Sequence, residues 1–145
     1  MPDVTHTLTI NAPIVKVWSF VNNLRNWATL MPGYQDFTEL DADNSVWKLK
    51  GDVGILQKLI TLRAQVTGRE EPSRVAFVLQ GVDENLQGSG AFVASPAAGN
   101  TTDVKLSLSL KAGGLMGPMV NALLGNMVPS YMAALATGIK SRVEE

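Results

Sequence analysis

One side chain in this sequence ordinarily ionises near neutral pH: His6, the only histidine among 145 residues. A lone imidazole can act as a general acid or base, but it cannot form a two-histidine relay or a histidine metal cluster. The sequence holds no cysteine, so thiolate nucleophiles, thiolate metal sites and disulfides are excluded together. No carboxylate is tied to His6 by spacing, which leaves a Ser-His-Asp arrangement without a basis. Glu70, Glu71, Asp83 and Glu84 gather at turn sequences, where their simplest role is to keep those turns solvated. The other polar groups of interest are Asn121, Asn126 and Ser130. With His6 they can orient a ligand in an otherwise apolar site. Equally, each Asn can bend a helix or face solvent, His6 can be a hydrogen-bonded structural residue, and Tyr131 can be core with its hydroxyl at the edge.

Composition narrows the setting for these groups. The chain is 46% hydrophobic and 17% charged, with 12 basic against 13 acidic side chains. Its length fits one domain, spanning 1–145, with enough buried surface to stand without metal or disulfide. Balanced charge without like-charge blocks gives no footprint for nucleic acid. No basic leader followed by an apolar run opens the chain, so the expected compartment is the cytoplasm. The charged fraction lies below the usual ~25% of soluble chains, which implies apolar surface beyond an ordinary core.

The elements that must position the polar groups are legible from periodicity. Val4, His6, Leu8 and Ile10 alternate with Thr5, Thr7 and Thr9, which predicts a half-buried strand with His6 on its inner face. Asn11 is placed to cap a helix entered through Pro13, with Val17, Trp18 and Val21 on its apolar side. A second short helix is expected from Asn22 or Asn23 through Leu24, Trp27, Leu30 and Met31, stopping at Pro32-Gly33. Six strands follow between Tyr34 and Lys111, with turns at 41–44, 52–57, 71–73, 82–85 and 96–100. Trp47 and Leu49 share an inner face, as do Ile60, Leu62, Ala64 and Val66, and Val104, Leu106, Leu108 and Leu110. Short connections make the sheet antiparallel, and one dry face demands a helical cover. Gly88 and Gly90 fall on one face of the sixth strand, where they allow strong curvature or merely tolerate a sheet edge.

The cover is the C-terminal segment. Ala112 to Ile139 contains no charged residue. Its length alone would suit a membrane span, but its five Gly, two Pro and two Asn interrupt it, so no transmembrane segment is expected. A helix from about Leu115 to Val143 would cross the whole domain. Met116, Val120, Leu123, Met127, Tyr131 and Ala134 form one stripe; Leu124, Val128, Met132, Leu135 and Ile139 form another. Together they exceed the apolar width of an ordinary surface helix. A curved sheet, an internal cavity or an apolar partner would account for the excess. Pro129 opposes the carbonyl of Gly125, which predicts a kink there.

This order of one strand, two short helices, six strands and a long helix resembles the helix-grip fold of the START/Bet v 1-like (SRPBCC) superfamily, an α+β class. Within it the chain is similar to the CoxG-like group, named for an accessory protein of carbon monoxide dehydrogenase. The resemblance lies in Ile10-Asn11-Ala12-Pro13 with Val17-Trp18, Trp27, and Met31-Pro32-Gly33. It extends through Val53-Gly54-Ile55, Gly88-Ser89-Gly90 and the Gly/Met-rich entry to the last helix, covering essentially the whole chain. It implies a deep apolar cavity between a concave seven-stranded sheet and that helix. Members bind lipids, steroids, quinones or polyketides; some are cyclases or hydroxylase components. CoxG-like members are associated with membrane anchoring of a molybdenum enzyme and with quinone handling.

The leading expectation is non-enzymatic binding of a small hydrophobic ligand, lipid, quinone or polyketide-like, with no cofactor and no metal. Trp47, Leu49, Ile60, Leu62, Phe77, Leu106, Leu108, Val120, Leu123, Leu124, Met127 and Tyr131 are the expected apolar wall, with His6 and Asn121 as orienting groups. The competing expectation is a cyclase or dehydratase using the same cavity, with His6 as its one acid/base candidate. Ile55 and Leu56, apolar at a hairpin tip, are expected to form a pocket lip or to touch a redox-enzyme partner or a membrane surface, unless they fold back over the core.

Overall fold

Alternation of Thr with apolar residues produces β1 (Asp3–Ile10), and its inner residues pair in register with those of the last strand, His6 opposite Leu106 and Leu8 opposite Val104. The computed structural model describes residues 3–53, 56–82, 85–115 and 117–145; the side chains within 51–58 fall outside the description. After β1 come α1 (Ile14–Val21) and α2 (Leu24–Ala28), then β2 (Tyr34–Glu39), β3 (Asn44–Val53), β4 (Leu56–Glu70), β5 (Arg74–Gly81), β6 (Leu86–Ala97), β7 (Thr101–Ala112) and α3 (Gly117–Val143). The strands form one antiparallel sheet in the order β1-β7-β6-β5-β4-β3-β2. The first strand therefore closes onto the last, and α3 lies across the dry face.

Two local expectations are corrected. Asn11 does not cap α1. Pro13 holds that position without a side-chain bond, and the Asn11 N–H donates instead to Glu144 Oε2 at 2.7 Å. The second helix ends at Ala28, short of Met31; its cap is Asn23, whose side chain accepts from the Arg25 N–H at 3.0 Å. Beyond it the chain turns through Gly33 at φ +82°, where a Cβ would meet the Lys50 carbonyl oxygen at 2.2 Å.

Trp27 anchors the main core. Its ring meets Phe77 edge-on at 5.5 Å and Phe92 at 5.9 Å, joining α2 to the sheet. Val128, Met132, Leu135, Ala136, Ile139 and Val143 complete that core from α3. A second, smaller group, Leu49, Leu62, Leu86 and Ala112, lies toward the first half of α3, with Val120 and Leu124 packed against it. By composition and length α3 would pass for a membrane-crossing helix; it packs here as the core helix of the fold. Full burial falls only on its second stripe, from Val128 onward; of the first, Val120, Met127 and Tyr131 are half-buried and Leu123 and Ala134 exposed, while Met116 lies outside the described residues. The helix continues through Pro129. Its C-terminal end is clasped to the β1–α1 corner, where Lys140 donates to the Thr9 carbonyl at 2.8 Å and pairs with Glu144.

Gly88 and Gly90 leave no room for a side chain. A Cβ on Gly90 would sit 2.5 Å from the Ser107 carbonyl oxygen and 2.6 Å from the Phe77 ring, and one on Gly88 2.7 Å from Leu110. Close approach across β5, β6 and β7, rather than tolerance at an edge, is what these positions require.

Candidate ligand cavity

Between the middle of the sheet and α3 lies an apolar cavity of about 120 Å³. Strand alternation points Trp47 and Leu49 from β3, Ile60 and Leu62 from β4, and Leu108 and Leu110 from β7 toward it; Leu124, Met127, Val128, Tyr131 and Met132 close it from α3. A smaller void of about 50 Å³ adjoins it, walled by Trp27, Phe77, Leu106 and Leu135 among others. Ten of the expected wall residues thus belong to one or other void: Trp47, Leu49, Ile60, Leu62, Phe77, Leu106, Leu108, Leu124, Met127 and Tyr131.

The remaining expected residues lie elsewhere. His6 is half-buried on the inner face of β1 and lines neither void. Val120 packs against the small core group outside the cavity, and Leu123 is turned to solvent on the far side of α3. Asn121 is occupied: its side-chain oxygen accepts from the Ala112 N–H at 2.8 Å and its nitrogen donates to the Ala112 carbonyl at 3.1 Å. It joins the end of β7 to α3 and has no amide free to orient a ligand. Asn126 and Ser130 are exposed. Ile55 and the side chain of Leu56 lie outside the described residues, as do Asp83 and Glu84.

Sequence reasoning missed Met31, Leu79, Leu86, Leu110, Val128 and Met132 as apolar wall residues. Leu79 and Leu86 stand on inner faces that the alternation of β5 and β6 could have supplied. Met31, expected in a helix, instead follows α2 in the turn toward Gly33, and no sequence signal fixes where that turn points.

The buried indoles offer the cavity nothing polar. Trp27 Nε1 donates to the Val21 carbonyl at 2.9 Å, and Trp47 Nε1 to Ser45 Oγ at 3.0 Å. Lys50 and Tyr131 are the titratable residues in the lining, and by the alternation of β3 Lys50 belongs to its outer face.

A more open hollow of about 410 Å³ lies where the α1–α2 junction meets the β2–β3 turn. Its charges serve the fold. Arg69 pairs with Asp43 and donates to the Ala42 carbonyl. Asp41 accepts from the Asn44 side chain and from the Asp43 and Asn44 N–H groups, which hold its carboxyl below the usual range. Among the described residues no group of three or more His, Cys, Asp or Glu is placed to hold a metal ion.

Residues 1–144 match the family described as polyketide cyclase/dehydrase and lipid transport. The chain belongs to that family. No curated protein matches the sequence. Among solved structures, a conserved protein from Geobacillus kaustophilus superposes with a TM-score of 0.82 at 13% identity, over 97% of this chain and 94% of that one. The Zhui aromatase/cyclase from Streptomyces sp. R1128 gives 0.72 at 20% identity, over 98% and 93%. A START superfamily protein from Mycobacterium smegmatis gives 0.71 at 19%, over 98% and 97%. At such identities the shared property is the fold, and this polyketide cyclase/lipid transport family member has the START/Bet v 1 helix-grip architecture.

Proposed function

We propose that this family member binds a small hydrophobic ligand between its sheet and α3 without transforming it. The observation carrying this reading is the apolar cavity of about 120 Å³ walled by β3, β4, β7 and α3. Apolar cavities of roughly 150 Å³ stay dry and hold a guest the size of benzene, so this closed form accommodates a slender group. Larger ligands need the wall to yield, and Met31, Met127 and Met132 give it adaptable side chains. A cyclase would need a positioned acid or base at the substrate; His6, the sequence's one candidate for that role, does not line the cavity, and the titratable residues that do are Tyr131 and Lys50.

Native mass spectrometry of the protein purified from its source cells tests the binding reading. A retained apolar small molecule, lost on Met127→Trp, supports it; an empty protein that takes up no apolar probe would overturn it. A narrower role, as a CoxG-like accessory to a redox enzyme at the inner face of a membrane, draws its support from the short N-terminal motifs and from exposed Leu115, Met119 and Leu123. Liposome flotation that is unchanged by Met119→Asp would remove the membrane part.

A further inference from the structure

The two halves of α3 are held very differently. From Val128 onward one side of the helix is buried in the main core, and Lys140 and Glu144 fasten its end to the β1–α1 corner. Between Gly117 and Val128 no residue is fully buried; Val120, Asn121, Leu124 and Met127 are half-buried and the others exposed. Leu124 and Met127 nonetheless close the larger void on this side, and Val120 and Leu124 rest against the small core group. A segment with so little buried surface opens more readily than the rest of the fold.

Both ends of the segment can flex. Toward the C-terminus, Pro129 has no N–H to give the Gly125 carbonyl, and a Cβ on Gly125 would meet nothing within 4 Å. One helical bond is thus absent where no neighbour braces the helix. Toward the N-terminus, Gly113 and Gly114 lead in from β7, Gly114 at φ +77°, and the turn is closed by the Gly117 N–H donating to the Gly114 carbonyl at 3.1 Å. Among the described residues, the only side-chain hydrogen bonds made by 117–127 are the two that join Asn121 to Ala112.

Resting on the binding reading above, we infer that residues 117–127 are a hinged lid over the cavity and that the Asn121 amide is its latch. Breaking the two bonds to Ala112 lets the lid bend away at Gly125 to Pro129, withdrawing Leu124 and Met127 from the void. The frequency of that event sets how fast a guest enters and leaves. Asn121 lines neither void, so it governs rate and not affinity.

Stopped-flow quenching of tryptophan fluorescence by iodobenzene reads both rates, because Trp47 walls the larger void. Asn121→Ala should raise the uptake and release rates together by about tenfold or more and leave the dissociation constant within about twofold. Pro129→Ala restores the missing N–H at an exposed position and should slow both rates by about tenfold. Glu144→Gln loosens the opposite end of α3 and should change neither. Unchanged rates in Asn121→Ala and Pro129→Ala, or a Glu144→Gln variant as fast as Asn121→Ala, would overturn the latch while binding stands. Folded protein that takes up neither iodobenzene nor any other apolar probe overturns the binding reading. Amide exchange then decides the lid alone: residues 121–127 must open as one unit, faster in Asn121→Ala and slower in Pro129→Ala. Protection there equal to that of the turns after Val128 would overturn the lid as well.

Discussion

The side-chain amide of Asn121 pairs with both backbone groups of Ala112, accepting at 2.8 Å and donating at 3.1 Å, so that the first half of α3 is stitched to the end of β7 like one more rung of a ladder. Apart from Gly117, the buried residues of α3 begin only at Val128, and this pair of bonds therefore carries much of the attachment upstream. Asn121→Leu leaves the Ala112 N–H and carbonyl without their partner and should cost about 1–3 kcal/mol. Chemical denaturation would measure the loss, and amide exchange should show Ala112 and the first turns of α3 opening faster than the turns after Val128.

Two glycines should respond oppositely to alanine. At Gly90 the new methyl would meet the Ser107 carbonyl oxygen at 2.5 Å and the Phe77 ring at 2.6 Å, and Phe77 is itself held by Trp27. Overpacking there should destabilise by about 1–3 kcal/mol. At Gly125 nothing lies within 4 Å, and the residue is helical. Gly125→Ala should stabilise by about 0.5–1 kcal/mol through helix propensity. Thermal melts of the two variants should shift in opposite directions.

The ease with which the fold can be read from the sequence, and the difficulty with the site, have one cause. Alternation reports which face of a strand is dry, and Trp47, Leu62 and Leu106 fall on that face as their spacing requires. It does not report whether a dry residue touches its neighbours or borders a void, because Leu106 and Val104 read alike whether packed or lining. On α3 the two apolar stripes are equivalent by period, yet only the one through Val128, Met132 and Leu135 is buried. Which stripe wins depends on where the sheet lies. Contacts across long separations are invisible altogether: Glu144 reaches Asn11 133 positions away, and Asn121 reads as a ligand-facing amide because its partner lies behind a Gly-Gly turn.

Acid should loosen the clasp at the C-terminal end of α3. The Asn11 N–H and then Lys140 hold the Glu144 carboxyl below its ordinary range. A carboxylate with a lowered folded pKa contributes stability that is present above its unfolded value, about 4.3, and is lost as the pH falls through the folded one. Glu144→Gln should therefore melt earlier than the parent at pH 7 and lose part of the parent's decline below about pH 4.3. If the two melting curves keep a constant separation down to about pH 3, the clasp has no role in acid stability.

His6 and Met127 separate binding from catalysis. His6 faces inward opposite Leu106, yet lines neither void, and any effect of its removal on an apolar guest has to travel through packing. His6→Ala should leave probe affinity within about twofold and lower stability modestly, since trimming a half-buried side chain removes contacts without leaving a charge unpaired. Met127 borders the larger void from α3 while half-buried, so Met127→Trp can fill that space with small strain at its exposed edge. Probe uptake should fall at least about tenfold with little change in melting temperature. The contrast matters more than either result. A hydrophobic carrier should depend on Met127 and be indifferent to His6. An enzyme using the sole imidazole would lose turnover on His6→Ala while still binding, and product analysis with a candidate apolar substrate would reveal it.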